Sequence, residues 1–543
     1  MEIIFQPEGK KAHASSKDHL LKIADQTGIL VDANCSGAGK CGKCKIQVLS
    51  GSCNPLTETE LNLLSEYELR NQYRLACYTY AYSDLEIMVP QTHAGLNQKK
   101  NLMKLPFDFF SENQIHSDER PLPHYGVAFD IGTTTVVGML WNLLSNELID
   151  VEAKTNYQSV CGSDVISRIQ FCNSKPENLS IMQQKIIDCL NDILEEICIR
   201  NTINSEFIYE ITVVGNTTMS HLFLGVTPKT LSRFPFTPAF GGTQKLPAGD
   251  LHLKVCPQAN VYLLPNIAGH VGSDILGMIL ASGLHNKDGC HIAIDIGTNG
   301  EIVAIKNGQM ITCSTAAGPA FEGATIVQGM RATSGAIEHV EITSDNVIIK
   351  TIDNQPAIGI CGSGLIDIAA QLLKRKIIDE TGNMLTREEA LKSGIHPALA
   401  SRISGSKRDK SFRLTSTDEE AIVSITQQDI RELQLAKGAI LAGIQTLMKT
   451  LDIQKEQIDS IMIAGAFGNF ICVGNALKIG LFPDIPMEKI TFIGNAAGTG
   501  ASMALLSDKM RELASSIATK ILHIELSTNM DFQELYIHAM NFK

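Results

Sequence analysis

The feature that most limits the fold of this chain is a repeat. Val127-Ala-Phe-Asp130-Ile131-Gly132-Thr133-Thr134-Thr135 returns as Ile292-Ala-Ile-Asp295-Ile296-Gly297-Thr298-Asn299-Gly300. Each copy is an apolar strand, then Asp-Ile-Gly-Thr, then a second strand at 136–141 or 301–306. A unit used twice implies two similar α/β subdomains facing each other. The surrounding pattern agrees. A third strand is expected at 148–154, then a helix with Met182, Ile186, Leu190, Ile193 and Ile197 on one face. A strand at 210–214 follows and runs into Gly215-Asn216-Thr217-Thr218. The second half offers a helix at 429–450, with Ile430, Leu433, Ile440, Ile444 and Leu447 in register. A strand at 459–463 leads into Ala464-Gly465-Ala466-Phe467-Gly468, and a run at 490–493 enters Gly494-Asn495-Ala496-Ala497-Gly498-Thr499-Gly500.

A hairpin of this form has a chemical use. The glycine allows a tight turn that aims N–H groups and threonine hydroxyls at phosphate oxygens. The aspartate at the strand end can hold Mg²⁺ or position an attacking water. Two such hairpins clamp a polyphosphate from both sides. Asp130 and Asp295 are therefore the candidate catalytic residues. Gly132, Thr133, Thr134, Gly297, Thr298 and Asn299 are candidate nucleotide contacts, with Gly465 and Gly468 giving a flat base room against the backbone. One Asp-x-Gly turn alone is weak, since many are plain hairpins. Two, followed in order by Ala-Gly-Ala-Phe-Gly, resemble the actin, sugar-kinase and Hsp70 ATPase superfamily. Rival nucleotide folds fare worse. No strand-anchored G-x-G-x-x-G occurs, and Gly37-Ala-Gly-Lys-Cys-Gly42-Lys43-Cys44 puts a cysteine where a P-loop needs a hydroxyl.

That near-miss belongs to a second pattern. Cys35, Cys41 and Cys44 lie close together and Cys77 follows after a gap. Three thiolates separated by Gly37, Gly39 and Gly42 suit a loop wrapped around an inorganic cluster. The fourth is expected at the start of a strand in Arg74-Leu75-Ala76-Cys77. The C-x5-C-x2-C spacing is one residue longer in the first gap than the plant-type ferredoxin pattern. It resembles the adrenodoxin-like [2Fe–2S] ferredoxins. Strands at 2–5 and 45–49, a helix at 17–25 and a capping box at Thr57-x-x-Glu60 fit a small β-grasp domain. Zinc is the rival ligand, but four-thiolate zinc sites usually show two C-x-x-C knuckles and here there is one. Cys53 has no place in the pattern.

With 543 residues the chain holds several compact units. Residues 1–92 read as the ferredoxin-like domain and 93–124 as a polar, proline-closed linker with a short packed segment at 107–110. Residues 125–206 read as a middle domain or the first part of the first actin-like lobe, and 207–543 as the ATPase domain. The fold class is thus multidomain α/β and α+β, with duplicated RNase H-like lobes. A net charge of −12 argues against a general grip on nucleic acid or anionic lipid. No stretch approaches the length of a membrane span and no secretory signal is visible, so a cytoplasmic location is expected. In a reducing compartment the 14 cysteines suggest ligation and buried thiols rather than a disulfide framework. Segments 315–323 and 360–367 are small-residue turns that could line the cleft. Cys313 and Cys361 read as buried inert thiols, and Gly362-Ser363-Gly364 lacks a nucleophile elbow.

A [2Fe–2S] module, a linker and an actin-like ATPase in one chain resemble the reductive activators of corrinoid proteins. The resemblance rests on Cys35, Cys41, Cys44 and Cys77, on the two Asp-Ile-Gly-Thr turns and on the 464–468 turn. It implies a protein that uses ATP and Mg²⁺ to drive one electron from the cluster into inactive Co(II) corrinoid, restoring Co(I) in a methyltransferase system. It also implies a corrinoid partner protein and an unnamed low-potential electron donor; a homodimer is compatible with it. Two rival classes remain: an ATP-driven electron injector for another acceptor, and a redox-responsive protein that only senses nucleotide. The activators of 2-hydroxyacyl-CoA dehydratases carry their cysteines inside the ATPase fold, unlike this chain. Activators with two [4Fe–4S] clusters in a C-terminal domain are excluded, because no cysteine follows Cys472.

Overall fold

The structure, a computed structural model, describes residues 1–6, 9–15, 18–27, 29, 31, 33, 37, 39, 41–64, 66–89, 121–406, 409–416, 422–465 and 471–543. The segment at 107–110, Cys35 and Gly468 lie outside these residues.

The N-terminal domain is a five-stranded mixed sheet with order β2-β1-β5-β3-β4. Its strands are β1 (Glu2–Gln6), β2 (Lys10–His13), β3 (Lys45–Ser50), β4 (Tyr73–Leu75) and β5 (Leu85–Met88). Alternation sends Ile3 and Phe5 of β1 and Ile46 and Val48 of β3 into one core. The helix Leu20–Gln26 lays Leu20, Leu21, Ile23 and Ala24 on that core. It starts three residues later than expected, with His19 as its N-cap. The Thr57/Glu60 capping box forms and opens the helix Glu58–Leu63. Strand β3 directly follows Cys44, so the helix that a P-loop requires is not there.

The rest is built on two sheets of matching order. The first runs β10-β11-β9-β6-β7-β8, from β6 (Tyr125–Ile131), β7 (Thr135–Asn142), β8 (Glu147–Thr155), β9 (Ile208–Gly215), β10 (Gln244–Pro247) and β11 (Asn260–Leu263). It takes strands from both sides of residue 206, so a division drawn there cuts one sheet. The second sheet runs β22-β21-β12-β13-β14-β23. It begins with β12 (Cys290–Ile296), β13 (Gly300–Lys306) and β14 (Gln309–Thr315). An insertion follows with two three-stranded sheets: β15 (Ala336–Ile342), β16 (Val347–Thr351), β17 (Gly359–Ile360); and β18 (Ile403–Ser404), β19 (Ser411–Arg413), β20 (Ser424–Thr426). The main sheet resumes with β21 (Ser460–Ala464), β22 (Ile490–Gly494) and β23 (Leu522–His523). In each sheet an antiparallel hairpin carries the Asp-Ile-Gly-Thr turn, and the hairpin's first strand pairs in parallel with β9 or β21.

Side-chain size explains how the halves meet. Val127, Phe129 and Ile131 point to the outer core beside the helix Asn178–Asn201. Ile292, Ile294 and Ile296 point to the outer core beside the helix Gln427–Thr450. The small Ala128 and Ala293 face a shared inner core. Two helices fill it, Ser273–Ser282 and Ala496–Leu506. They touch backbone to backbone: a Cβ on Gly500 would lie 2.1 Å from the Gly277 carbonyl oxygen. Thr212 Oγ1 donates to the Ala501 carbonyl at 2.8 Å and Trp141 Nε1 to Ser502 Oγ at 3.1 Å, pinning the helix Ala496–Leu506 to the first sheet.

Candidate active site

The first turn is held from behind. Asn156 Nδ2 donates to the Gly132 carbonyl at 2.9 Å and Arg168 Nη2 to the Thr133 carbonyl at 2.5 Å. The Asn156 amide donates to the Thr134 carbonyl at 2.8 Å. A trans peptide points its N–H opposite its C=O. The amides of Thr133, Thr134 and Thr135 therefore point away from these donors, as an anion-binding turn needs. Arg168 is fully buried, and burial lowers its pKa to about 10. Asn216, the N-cap after β9, fixes the Thr133 hydroxyl through Nδ2 at 3.0 Å.

The second turn closes through the Gly297 amide on the Asn299 carbonyl at 2.9 Å. Here the approach is from above: Gly465, at φ +89°, brings its backbone so close that a Cβ would sit 2.9 Å from Asp295 Oδ1. Gly465 thus makes room for a carboxylate. One side chain joins the two turns. Thr134 Oγ1 donates to Glu322 Oε2 at 2.9 Å and Thr298 Oγ1 donates to Glu322 Oε1 at 2.5 Å.

Between the sheets lie four acids, Asp130, Asp274, Asp295 and Glu301. Burial pushes Asp130 up to about 7, helped by the Asp295 charge and opposed by an Asn495 hydrogen bond. Burial, then Asp295 and Asp130, pushes Asp274 up to about 8. Burial alone raises Asp295 to about 6, and burial, Asp274 and Asp295 raise Glu301 well above its usual range. The causes that set these values are burial, one another and hydrogen-bond donors, with no lysine or arginine among them. Among the described residues no three such side chains converge closely enough to ligate one ion directly, so the four acids suit a hydrated Mg²⁺, which keeps several of its waters and takes one or two carboxylates.

In the N-terminal domain, Cys44 and Cys77 are buried with their sulfurs 3.3 Å apart, and Cys41 is part-exposed on the same loop. Cys77 comes just after β4, in a turn, rather than at a strand start. The loop glycines Gly37, Gly39 and Gly42 all have positive φ, and a Cβ on Gly39 would strike the Tyr78 hydroxyl at 2.1 Å. Two adjacent buried thiols with a third close in sequence fit a thiolate-ligated cluster.

Comparisons with known proteins match the same regions of the chain. Residues 3–82 match the 2Fe-2S iron-sulfur cluster binding domain, 125–287 the RACo middle region, and 289–543 the C-terminal domain of RACo, the ASKHA domain. The corrinoid activation enzyme RamQ of Eubacterium limosum is 32% identical over 99% of this chain and 98% of its own length. The chain belongs to the family of reductive activators of corrinoid proteins. A solved structure of a reductive activator for corrinoid, iron-sulfur protein is 31% identical, covers 100% of this chain and 98% of that one, and superposes with a TM-score of 0.69. A more distant relative is the [Co(II) methylated amine-specific corrinoid protein] reductase of Methanosarcina barkeri, 23% identical over 77% of each chain.

As a reductive activator the chain is an enzyme with a [2Fe–2S] domain and a nucleotide-binding ASKHA domain. Asp130 and Asp295 come together in the cleft, and Thr134 and Thr298 meet at Glu322. Gly132, Thr133, Gly297 and Asn299 form the two turns, and Gly465 overhangs Asp295. Sequence reasoning missed Asp274, Glu301, Arg168 and the bridging role of Glu322. Asp274 had a signal: Ile267-Ala-Gly-His-Val-Gly272 echoes Ile463-Ala-Gly-Ala-Phe-Gly468, and Asp274 opens the helix that follows. Glu301 ends the Asp-Ile-Gly-Thr-Asn-Gly-Glu motif in plain view. Arg168 and Glu322 had no signal, because the turn residues they hold are distant: Thr133 is 35 residues from Arg168, and Thr298 and Thr134 are 24 and 188 from Glu322. Cys313 and Cys361 are buried as expected, and burial carries the Cys313 thiol above its usual range. No helix among the described residues is long and apolar enough to cross a membrane.

Proposed function

We propose that this activator uses ATP binding and hydrolysis to pass one electron from its reduced [2Fe–2S] cluster to a Co(II) corrinoid held by a partner protein. The cluster is oxidised by one electron and the cobalt is reduced to Co(I), fit again for methyl transfer. A low-potential donor then re-reduces the cluster. The cluster supplies reversible one-electron storage when bound, with Cys35, Cys41, Cys44 and Cys77 as its ligands. The chain's own residues bind and close. The turns at 132–134 and 297–299 clamp the phosphates from two lobes, while Asp130 and Asp295 orient the attacking water and hold Mg²⁺ through its water shell.

The observation that carries this reading is that the cysteine loop meets the first of the two turns and Glu322, which bridges to the second. Lys43, between Cys41 and Cys44, lines one cavity of about 60 Å³ with Thr133, Thr134 and Glu322. This contact between the cysteine loop and the phosphate-facing residues supports coupling, which needs a partner element whose position differs between nucleotide states. The full-length likeness to RamQ supports a corrinoid as acceptor.

The test is anaerobic visible spectroscopy of a Co(II) corrinoid protein with this chain and a low-potential reductant. Conversion to the Co(I) spectrum is expected only with Mg-ATP. Conversion at the same rate without nucleotide sinks the coupling, and no conversion with any corrinoid partner from the same cell sinks the acceptor.

A further inference from the structure

Glu322 takes one hydroxyl from each turn, on a separate oxygen. Those hydroxyls are the donors that a polyphosphate would need. An anion therefore already sits between the two turns, and it belongs to the chain. The charges around it favour an anion: Arg168, Arg331 and Lys43 line the same cavity against one other carboxylate, Asp164, which caps the helix Val165–Ser174, and Arg168 feels the Glu322 charge.

The segment that carries Glu322 is also the one that holds the cysteine loop. Lys43 Nζ donates to the Ile326 carbonyl at 3.2 Å and to the Gly329 carbonyl at 2.5 Å. Between Glu322 and these acceptors the chain folds back on itself. A Cβ on Gly323 would lie 2.6 Å from the Met330 amide nitrogen and 3.0 Å from the Gly329 carbonyl carbon. The Val327 amide donates to Asp429 Oδ1 at 2.8 Å, and Asp429 closes the capping box with Thr426 at the start of the helix Gln427–Thr450. A turn packed this tightly does not shift at one end alone.

We propose that Glu322 is a built-in occupant of the terminal-phosphate seat, and that a nucleoside triphosphate, by displacing it from Thr134 and Thr298, moves the 319–331 turn and frees Lys43 and the cysteine loop. This rests on the nucleotide-driven reading above and deepens it. Two anions cannot share the same pair of hydroxyls without repulsion, so binding and displacement are one event. A diphosphate, lacking the terminal group, leaves Glu322 in place. Glu322 and Lys43 are thus positioning residues: one reports occupancy, the other ties the cluster to the report.

Backbone hydrogen exchange on the full, cluster-loaded chain tests this, with Mg²⁺ and either a non-hydrolysable ATP analogue or ADP. In the wild-type chain the analogue is expected to raise exchange in 319–331 and 41–45 together, and ADP to raise neither. Glu322→Gln keeps the shape but loses the competing charge. It is expected to bind the analogue about tenfold tighter and to show raised exchange in both segments with no nucleotide. Glu322→Asp, too short to span both hydroxyls, should fall between, and it serves if the Gln variant folds poorly. In Lys43→Met, saturating analogue should still move 319–331 but no longer change 41–45. Weaker analogue binding by Glu322→Gln overturns the proposal, because Glu322 then helps to hold nucleotide. Joint movement of both segments in Lys43→Met overturns the tie to the cluster. If the wild-type chain binds no nucleotide, the nucleotide-driven reading itself falls. If it binds with both segments still, only this inference does.

Discussion

Two groups of buried carboxylates sit in this molecule, and they are handled in opposite ways. In the cysteine domain Glu60 is fully buried and fully matched. Arg74 meets it side-on, Nε to Oε1 at 2.8 Å and Nη2 to Oε2 at 2.9 Å. The amides of Thr57 and Leu75 donate to it as well, at 2.9 and 3.1 Å. Burial alone would raise its pKa, but Arg74 and the amides outweigh burial and lower it. In the cleft, burial raises Asp130, Asp274, Asp295 and Glu301, and for all but Asp295 a neighbouring carboxylate adds to it. A matched buried charge fixes one arrangement, here the helix Glu58–Leu63 against β4 beside Cys77. An unmatched set stores electrostatic cost that a cation or a moving proton can release. The first group is architecture and the second is a site.

If that division holds, deleting a member of each group has opposite consequences. The largest effect is expected from Glu60→Ala, which strands the Arg74 guanidinium in a dry core and leaves two amides without acceptors. Breaking a buried pair in this way costs about 3–5 kcal/mol. The cysteine domain should unfold at lower denaturant, with bleaching of the cluster spectrum, while nucleotide affinity stays within about twofold. A cluster that survives at wild-type denaturant concentrations would mean that Glu60 is dispensable and that the contrast is not one of architecture against function.

How legible each group is in the sequence follows from the same contrast. The Thr57-x-x-Glu60 box is local, four residues long, and forms as read. The Asp-Ile-Gly-Thr hairpins are local too, so their strands, their turns and the facing of the two halves can be read from the repeat. The sheet order follows from the hairpins and the parallel crossovers to β9 and β21. What is not legible is non-local. Arg74 sits in plain sequence view beside Cys77, but nothing marks its pairing with Glu60. Glu322 is 188 residues from Thr134, and no periodicity links them. The insertion between β14 and the helix Gln427–Thr450 breaks the symmetry of the halves, and its small sheets are too short for a pattern of alternation to show. Lys43 reads as a loop lysine until Ile326 and Gly329 are brought beside it.

The second effect concerns chemistry. Asp295→Asn removes one like charge from the cleft, so the apo chain should be no less stable. Hydrolysis should fall on the order of 10²–10³-fold, the usual loss when a preorganised charge is removed from a phosphoryl-transfer site. Steady-state ATPase rates and a urea melt on the same preparation check both halves of the expectation. A variant that loses stability instead would place Asp295 with Glu60, as a structural charge.

The smallest effect, and the one that sets the two groups against each other in a single experiment, is their dependence on pH. Glu60 has a folded pKa below the ordinary 4.5. Its contribution to stability is present above the unfolded value and is lost as pH falls through the folded one. The cleft acids have the opposite sign. Asp295, Asp130 and Asp274 titrate at about 6, 7 and 8 in the fold, against 3.8 when unfolded. Their contribution is full below about pH 4 and is lost progressively as pH rises from there through the folded values, about 6 to 8. Calorimetry of the metal-free chain should therefore show two transitions with opposite slopes: the cysteine domain weakening in acid, the paired lobes weakening toward pH 8. Mg²⁺ with nucleotide should flatten the second slope and leave the first unchanged, because it supplies positive charge only where the chain has none. A cleft transition that is flat without Mg²⁺ would mean that the four acids are already neutralised, and the contrast with Glu60 would disappear.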